Sequence, residues 1–149
     1  MSRKKPVDQM SLKIESRSVN ESFARVAVSA FAAQQDPTVE EISDIKTAVS
    51  EAVTNCIVHA YPTSVGEIYI WVGLFDDGLV RIRIRDRGCG IIDVRQAMEP
   101  LFTTGNPEER SGLGFAVMQS FMDKVRVSST PGHGTRVTLT KRLEEKPST

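Results

Sequence analysis

The clearest structural signal in this sequence is the stretch LVRIRIRDRGCG at residues 79–90. Three aliphatic residues alternate with three arginines, which predicts a β-strand with one apolar face and one charged face. Continuing the alternation places Asp86 on the apolar face. Burial of a carboxylate is unfavourable unless a hydrogen-bond donor meets it. Asp86 therefore either accepts a hydrogen bond from a ligand, such as the amino group of adenine, or begins the turn at Gly88-Cys89-Gly90.

The residues just before this strand predict a hairpin. Residues 68–75 are rich in β-branched and aromatic side chains, and Asp76-Asp77-Gly78 has the composition of a hairpin turn. We therefore expect residues 68–75 and 79–86 to form an antiparallel pair.

Farther upstream, the pattern predicts one strand and two helices. A weak strand signal near residues 12–14 precedes a helix that begins at Asn20. Thr38 and Glu41 match a capping box at the start of a second helix, which we expect to run to about Ala60.

Downstream of the hairpin, Ser111 can cap a further helix, and strands follow near residues 125–128 and 135–140. Hairpins in place of strict strand-helix alternation predict an α+β fold. We expect a two-layer sandwich, in which helices cover one face of a mixed, mostly antiparallel sheet.

The length and composition indicate a single domain. The chain has 149 residues, 40% of them hydrophobic, which suits one compact core. We expect that domain to span residues 11–143, between polar tails of low order at residues 1–10 and 144–149.

Charge and hydrophobicity exclude several classes of partner. Nineteen basic residues balance nineteen acidic ones, so the chain as a whole lacks the field that attracts nucleic acid or anionic lipid. No apolar run approaches the roughly 18 residues of a membrane span, and the N-terminus has no signal-peptide pattern. The two cysteines show neither pairing nor metal-binding spacing, which is typical of a reducing compartment. We expect a soluble, cytoplasmic protein with no direct nucleic-acid or membrane partner.

Two polar residues on the second helix are candidates for a magnesium-nucleotide site. Glu51 and Asn55 lie one helical turn apart, opposite the apolar stripe. Magnesium needs only one or two protein oxygens beside water and phosphate, so Asn55 is a candidate ligand while Glu51 accepts a proton. The alternative is a solvated helix face.

A glycine pair is a candidate phosphate cradle. Ser111-Gly112-Leu113-Gly114 precedes a helix, where free backbone N–H groups favour an anion, although glycines also serve ordinary turns. The chain contains no Walker A motif and none of the motifs of ordinary protein kinases. A bound nucleotide would therefore use another arrangement.

Four motifs in register resemble the nucleotide-binding boxes of the ATPase superfamily that includes gyrase, histidine kinases and MutL. They are Glu51-Ala52-Val53-Thr54-Asn55, Asp86-Arg87-Gly88-Cys89-Gly90, Ser111-Gly112-Leu113-Gly114 and Gly134-Thr135. Four segments make residues 10–142 similar to the anti-sigma F factor family. These segments are Asn20-Glu21-Ser22-Phe23-Ala24-Arg25-Val26, Ser50-Glu51-Ala52-Val53-Thr54-Asn55, Leu101-Phe102-Thr103-Thr104 and Glu109-Arg110-Ser111-Gly112.

The resemblance implies roles for individual residues. Glu51 would be the catalytic base, Asn55 the Mg²⁺ ligand and Asp86 the partner of adenine in ATP or ADP. Other positions would belong to the adenine pocket, the lid and the phosphate cradle of the nucleotide site. These are Gly88, Gly90, Thr103, Thr104, Arg110, Ser111, Gly112, Leu113, Gly114 and Thr135.

The resemblance also implies partners and a reaction. Members of the family hold sporulation sigma factor F inactive as homodimers, and Glu21 and Arg25 would contact sigma. They also phosphorylate a serine of an anti-anti-sigma factor with ATP. The reaction would be in-line transfer of the γ-phosphoryl group, which depends mainly on positioning and charge neutralisation.

Three alternatives stay open. One is an anti-sigma kinase for a general stress sigma factor, which would carry similar boxes. Another is a nucleotide-gated sigma-binding module without kinase activity, although Glu51 would then have no use as a base. The third is an isolated ATPase domain of a gyrase-like protein or sensor kinase, which the length and the end of the chain after its last strand disfavour.

Overall fold

A computed structural model describes residues 4–99 and 113–144 of the chain. Its strands and helices follow one another in the predicted order, with additional short turns. They are β1 (Asp8–Glu15), α1 (Val19–Ala32), a 3₁₀ turn (Ala33–Gln35), α2 (Val39–Asn55), a π-helical turn (Cys56–Ala60), β2 (Glu67–Leu74), β3 (Leu79–Asp86), α3 (Val94–Ala97), α4 (Phe115–Phe121), β4 (Lys124–Thr130) and β5 (Gly134–Arg142).

The strands form one sheet in the order β1-β2-β3-β5-β4. The hairpin of β2 and β3 forms around residues 76–78, as its turn composition predicts. The α+β fold class is confirmed. The sheet was expected to be mixed, but every pairing between the described strands is antiparallel. Strand β5 returns from β4 and inserts beside β3, so no parallel pair arises.

One face of the sheet forms the core with α1, α2 and α4. Helix α2 begins at the predicted capping box, where Glu41 N donates to Thr38 Oγ1 at 3.0 Å and Thr38 N donates to Glu41 Oε1 at 2.8 Å. Ile45, Val49 and Val53 on this helix are fully buried. Burial of each such side chain contributes about 1.5–3 kcal/mol. Inward-facing residues of β2, β3 and β5 complete the core: Ile68, Ile70, Val72, Val80, Ile82, Ile84, Val137 and Leu139.

Two predicted boundaries need correction. Strand β1 begins at Asp8, so the N-terminal tail does not extend to residue 10; Asp8 pairs with Leu74 of β2. An edge strand with polar residues on its open side gives little hydrophobic signal. The second helix also changes character before Ala60, because its α-helical part ends at Asn55 and a π-helical turn follows.

Within the described parts of the chain, no helix is long and apolar enough to cross a membrane.

Candidate functional site

A cavity of about 290 Å³ lies between the end of α2, the loop after β3 and the first residues of α4 and β5. Small-molecule sites are typically concave and mostly apolar, with a few polar groups that fix orientation. The lining has this character: Ala52, Asn55, Cys56, His59, Ala60, Asp86, Gly90, Ile91, Ile92, Leu113, Phe115, Thr135 and Val137.

Asp86 is the buried carboxylate of this cavity, with 6% of its surface exposed. Its Oδ1 accepts hydrogen bonds from Gly88 N at 2.9 Å and Thr135 N at 3.3 Å. Its Oδ2 accepts from Cys56 Sγ at 3.5 Å. A thiol is a weak donor, so Oδ2 keeps the capacity to accept a stronger hydrogen bond from a ligand.

Burial sets the protonation of both side chains at this contact. It raises the pKa of Asp86 above its ordinary value, while the hydrogen bonds from Gly88, Cys56 and Thr135 act in the opposite direction. Burial also raises the pKa of Cys56 well above its ordinary value, and the neighbouring carboxylate adds to the rise. The Cys56 thiol therefore stays protonated and donates to Asp86.

The loop after Asp86 follows its path because two of its residues have no side chain. A Cβ on Gly88 would overlap the carbonyl oxygen of Ala60. Gly90 has φ +75°, and a Cβ there would overlap the backbone of Thr130. Cys89 N donates to Ala60 O at 3.1 Å. The loop is thus held between the π-helical turn and the end of β4.

Helix α2 and the start of α4 meet at Glu51 and Asn55. Asn55 Nδ2 donates to Leu113 O at 2.5 Å, which fixes the orientation of the amide. Asn55 Oδ1 accepts no hydrogen bond from the described residues and stays available as a ligand oxygen. Gly114 has φ +68°, and a Cβ on it would overlap the Glu51 carboxylate. The carboxylate of Glu51 therefore lies against the start of α4.

Three contributors to the site were not predicted. Cys56 was placed on the apolar stripe of the second helix, and no sequence signal linked its thiol to Asp86. Ser129 Oγ lies 2.7 Å from Thr135 Oγ1 and accepts from Ile91 N at 2.7 Å, which joins two sides of the cavity. Tyr61 Oη accepts from the backbone N–H of the residue after Asp86 at 2.7 Å.

The structure brings Asn55, Asp86, Gly90, Leu113 and Thr135 to one cavity. Gly88, Glu51 and Gly114 lie next to these residues through the contacts above. The remaining predicted nucleotide contacts lie outside the described residues: Thr103, Thr104, Arg110, Ser111 and Gly112.

Glu21 and Arg25 lie apart from the cavity lining, on α1. Arg25 Nε lies 3.7 Å from Glu21 Oε1, and the two residues form an ion pair across one turn of the helix. Ser50 Oγ donates to the same Glu21 oxygen. A hydrogen bond therefore links the predicted sigma contact to the residue that precedes Glu51.

Comparison with known proteins confirms the predicted family. The model of the histidine kinase-like ATPase domain matches residues 14–141. The anti-sigma F factor of Caldanaerobacter subterraneus subsp. tengcongensis is 60% identical over 136 residues, covering 91% of this chain and 94% of the relative. That of Bacillus subtilis is 50% identical over 139 residues, covering 93% and 94%.

Solved structures share the fold. A structure of the RsbU and RsbW domains of a Mycobacterium tuberculosis protein has a TM-score of 0.67 and 26% identity, covering 93% of this chain and 32% of that one. A histidine kinase domain from Erythrobacter litoralis has a TM-score of 0.55 and 18% identity, covering 83% and 60%. The match of the family model to residues 14–141 and the identity of 50–60% to the anti-sigma F factor relatives over more than nine-tenths of the chain show that it belongs to the anti-sigma F factor family of histidine kinase-like ATPase domains.

Proposed function

We propose that the chain is an anti-sigma factor that binds and inhibits sporulation sigma factor F and, as an ATP-dependent serine kinase, phosphorylates and inactivates an anti-anti-sigma factor. The observation that carries the proposal is the buried Asp86 carboxylate, whose Oδ2 has only a thiol as its protein donor in the described cavity. An adenine amino group is the kind of donor that this oxygen lacks.

The adenine end of the nucleotide is assigned to Asp86 and the residues that fix it. Gly88 N and Thr135 N hold Oδ1, so the carboxylate has one orientation and directs Oδ2 toward a ligand. Gly90 and the apolar lining then exclude water around the base. Exclusion of water strengthens the hydrogen bond to the carboxylate.

Mg²⁺ is assigned to Asn55 Oδ1, the amide oxygen that the Leu113 contact leaves available. The described residues contain no cluster of three or more histidine, cysteine or acidic side chains that would hold a metal alone. The fit is nevertheless good, because Mg²⁺ in nucleotide sites takes most of its ligands from water and phosphate. When bound, the ion neutralises phosphate charge.

Glu51 is assigned as the general base. Its carboxylate lies against Gly114, at the end of α2 that carries Asn55. In the proposed reaction, a Glu51 oxygen accepts the proton of the incoming seryl hydroxyl while the seryl oxygen bonds to the γ-phosphorus. The bond between the γ-phosphorus and the bridging oxygen of ADP breaks, and ADP leaves. Backbone N–H groups at the start of α4 and Arg110 would support the phosphate charge.

The partners are assigned from the names of the relatives and from α1. Glu21 and Arg25 are offered as the sigma contact, and Val19, Phe23 and Val26 on the same helix are more than half exposed. Exposed apolar residues in a row on one helix support a protein interface, either with sigma or between two copies in a homodimer. Cytoplasmic location follows from a partner that acts in transcription.

The names of the relatives favour sigma F over a general stress sigma factor. The position of Glu51 beside Asn55 and Gly114 favours a kinase over a binding module that only responds to nucleotide.

The test is transfer of labelled γ-phosphate from MgATP to a purified anti-anti-sigma protein. Glu51→Gln is expected to slow transfer by about 100-fold or more, because it removes the base but keeps the side-chain size. Glu40→Gln is the matched control, since Glu40 is exposed on the first turn of the same helix. Equal rates in the Glu51 variant and the control would contradict the assignment of the base. ATP binding without transfer by the unaltered chain would favour the binding module.

A further inference from the structure

The face of the sheet that the helices leave uncovered concentrates positive charge. Six cationic side chains project from β3, β4 and β5 on this side, and we call them the arginine face: Arg81, Arg83, Arg85, Lys124, Arg126 and Arg136. An open groove of about 1060 Å³ is lined by five of the six, and no acidic residue is among its described lining residues. Because the chain has equal numbers of basic and acidic residues, this concentration is local.

The arginines lie over aromatic rings of the neighbouring strand. Arg83 stacks on Trp71 at 4.7 Å from the ring centre, and Arg85 stacks on Tyr69 at 4.7 Å. Gly73 makes room for the indole, because a Cβ there would overlap the Trp71 ring. At Arg85, stacking holds the guanidinium flat on the sheet and leaves its N–H edge able to donate to an anion.

The register of the sheet places two like charges opposite each other on the arginine face. Arg85 of β3 is directly opposite Arg136 of β5 in the register of the sheet, and both are exposed. Like charges at such positions destabilise a sheet. Within residues 4–99 and 113–144, four cations of this face take part in no ion pair: Arg81, Arg85, Arg126 and Arg136. A bound anion would relieve this repulsion.

We propose that the arginine face binds an extended, acidic segment of a partner protein. Arg81, Arg83 and Arg85 project from alternate positions of one strand, about 6.6–6.8 Å apart. Carboxylates at alternate positions of an extended peptide have the same spacing, so one side of such a peptide meets the row of guanidinium groups. The binding energy comes from charge-assisted hydrogen bonds at this row.

The other occupants fit less well. Arginines cover the rings of Tyr69 and Trp71, which removes the free aromatic surface on which single-stranded nucleic acid stacks its bases. A second copy of the chain, docked face to face, would oppose one set of cations with another. The proposed site does not depend on the nucleotide cavity, which lies on the covered side of the sheet.

Peptide binding at the arginine face can be measured through the intrinsic fluorescence of the protein. Trp71 is its single tryptophan, and its ring lines the groove under Arg83. A short synthetic peptide of alternating glutamate and threonine is expected to change Trp71 fluorescence saturably, with an affinity that falls as salt is added. A peptide of the same composition with its glutamates in one block is expected to bind more weakly, because alternate carboxylates then face away. Equal binding of the two peptides would overturn the extended mode.

Charge-removing variants test the surface itself. The double variant Arg81→Gln/Arg85→Gln is expected to weaken the alternating peptide by about tenfold. The matched control Lys46→Gln/Arg95→Gln removes the same charge from α2 and α3, off the groove, and is expected to bind normally. Equal loss in both double variants would overturn the proposal, as would an oligonucleotide of equal charge that binds more tightly than the peptide.

Arg136→Gln is a second variant, which separates loss of peptide binding from loss of folding. It removes one member of the opposed pair, so it is expected to weaken the peptide severalfold while raising the midpoint of thermal unfolding. Analytical ultracentrifugation of the arginine variants tests whether a second copy of the chain occupies the arginine face. If the arginine variants lower the mass of the species in solution, the face joins two copies of the chain and the proposal is wrong.

Discussion

At the scale of single residues, the site depends on how one carboxylate is supplied with donors. Asp86 receives two backbone N–H groups on one oxygen and a thiol on the other. The backbone donors fix its position, and the thiol is too weak a donor to compete with a ligand. The same side chain thus serves the loop after β3 and the cavity.

The raised pKa of Asp86 predicts how nucleotide affinity changes with pH. Acidification through this raised pKa protonates the carboxylate and removes the charge that would strengthen the proposed hydrogen bond to adenine. Affinity for ATP is therefore expected to fall on acidification at a higher pH than an ordinary aspartate would show. Asp86→Ala is expected to weaken ATP by at least about tenfold and to lose this pH dependence. Calorimetric titration of both proteins across the acidic range checks both expectations, and an unchanged affinity in Asp86→Ala would contradict the adenine contact.

In the unliganded protein, the same raised pKa makes acidification increase the stability of the folded state, whereas acidification lowers nucleotide affinity. Because the folded chain holds the Asp86 proton more readily than the unfolded chain, this group favours folding at low pH. Its contribution is lost as pH rises through the window between the ordinary pKa and the raised one.

At the scale of elements, the important contact is the one between the loop after β3 and the end of α2. The π-helical turn brings the carbonyl oxygen of Ala60 to the loop, where Cys89 N donates to it and Gly88 passes close by. Single π-helical turns are frequent at functional sites because they redirect backbone groups. The turn here shapes one wall of the cavity.

A pair of glycine variants tests this contact. Gly88→Ala places a methyl group against Ala60 and is expected to lower the free energy of unfolding by about 1–3 kcal/mol and to weaken nucleotide binding. Gly132→Ala is the control, because Gly132 also lies in a turn but has open space around its Cα. That variant carries the strain of φ +81° and is expected to keep normal nucleotide affinity. Denaturant titration and calorimetry measure the two effects, and equal nucleotide affinities in the two variants would argue against the close approach.

At the scale of the whole molecule, ligand binding and folding are linked. Nucleotide that binds the folded chain at 100 times its dissociation constant adds about 2.7 kcal/mol of stability. For a chain of this size, that corresponds to a rise in Tm of about 5–10 °C. Thermal unfolding with and without MgATP is expected to show this rise in the unaltered protein. Asp86→Ala at the same nucleotide concentration is expected to show little of it, and equal rises in both would exclude Asp86 from the binding site.

Much of this architecture follows from local patterns in the sequence. The alternation of β3, the turn at residues 76–78 and the capping box of Thr38 and Glu41 each specify an element by their own chemistry. The inward direction of Asp86 follows from the period of β3 alone. These features depend on residues close together in the chain, so a single sequence is sufficient to predict them.

Other features depend on contacts between distant residues and could not be predicted in this way. Cys56 donates to Asp86 across 30 positions of sequence, and Asn55 reaches Leu113 across 58. The repulsion between Arg85 and Arg136 exists only because β5 pairs with β3 in one register. The three arginines of β3 were predicted to share a face, but the cationic side chains beside them come from other strands.

The strand order has a consequence for how the chain is made. Of the described strands, β5 is synthesised last, and it occupies an interior position between β3 and β4. Until β5 has emerged, the backbone of β3 is unpaired on one edge. The apolar side chains of the same strand are Val80, Ile82 and Ile84. Unpaired edges with apolar side chains are the surfaces through which nascent chains associate wrongly. Synthesis that stops before residue 134 therefore leaves the sheet open between β3 and β4, and the sheet is completed only when β5 is inserted.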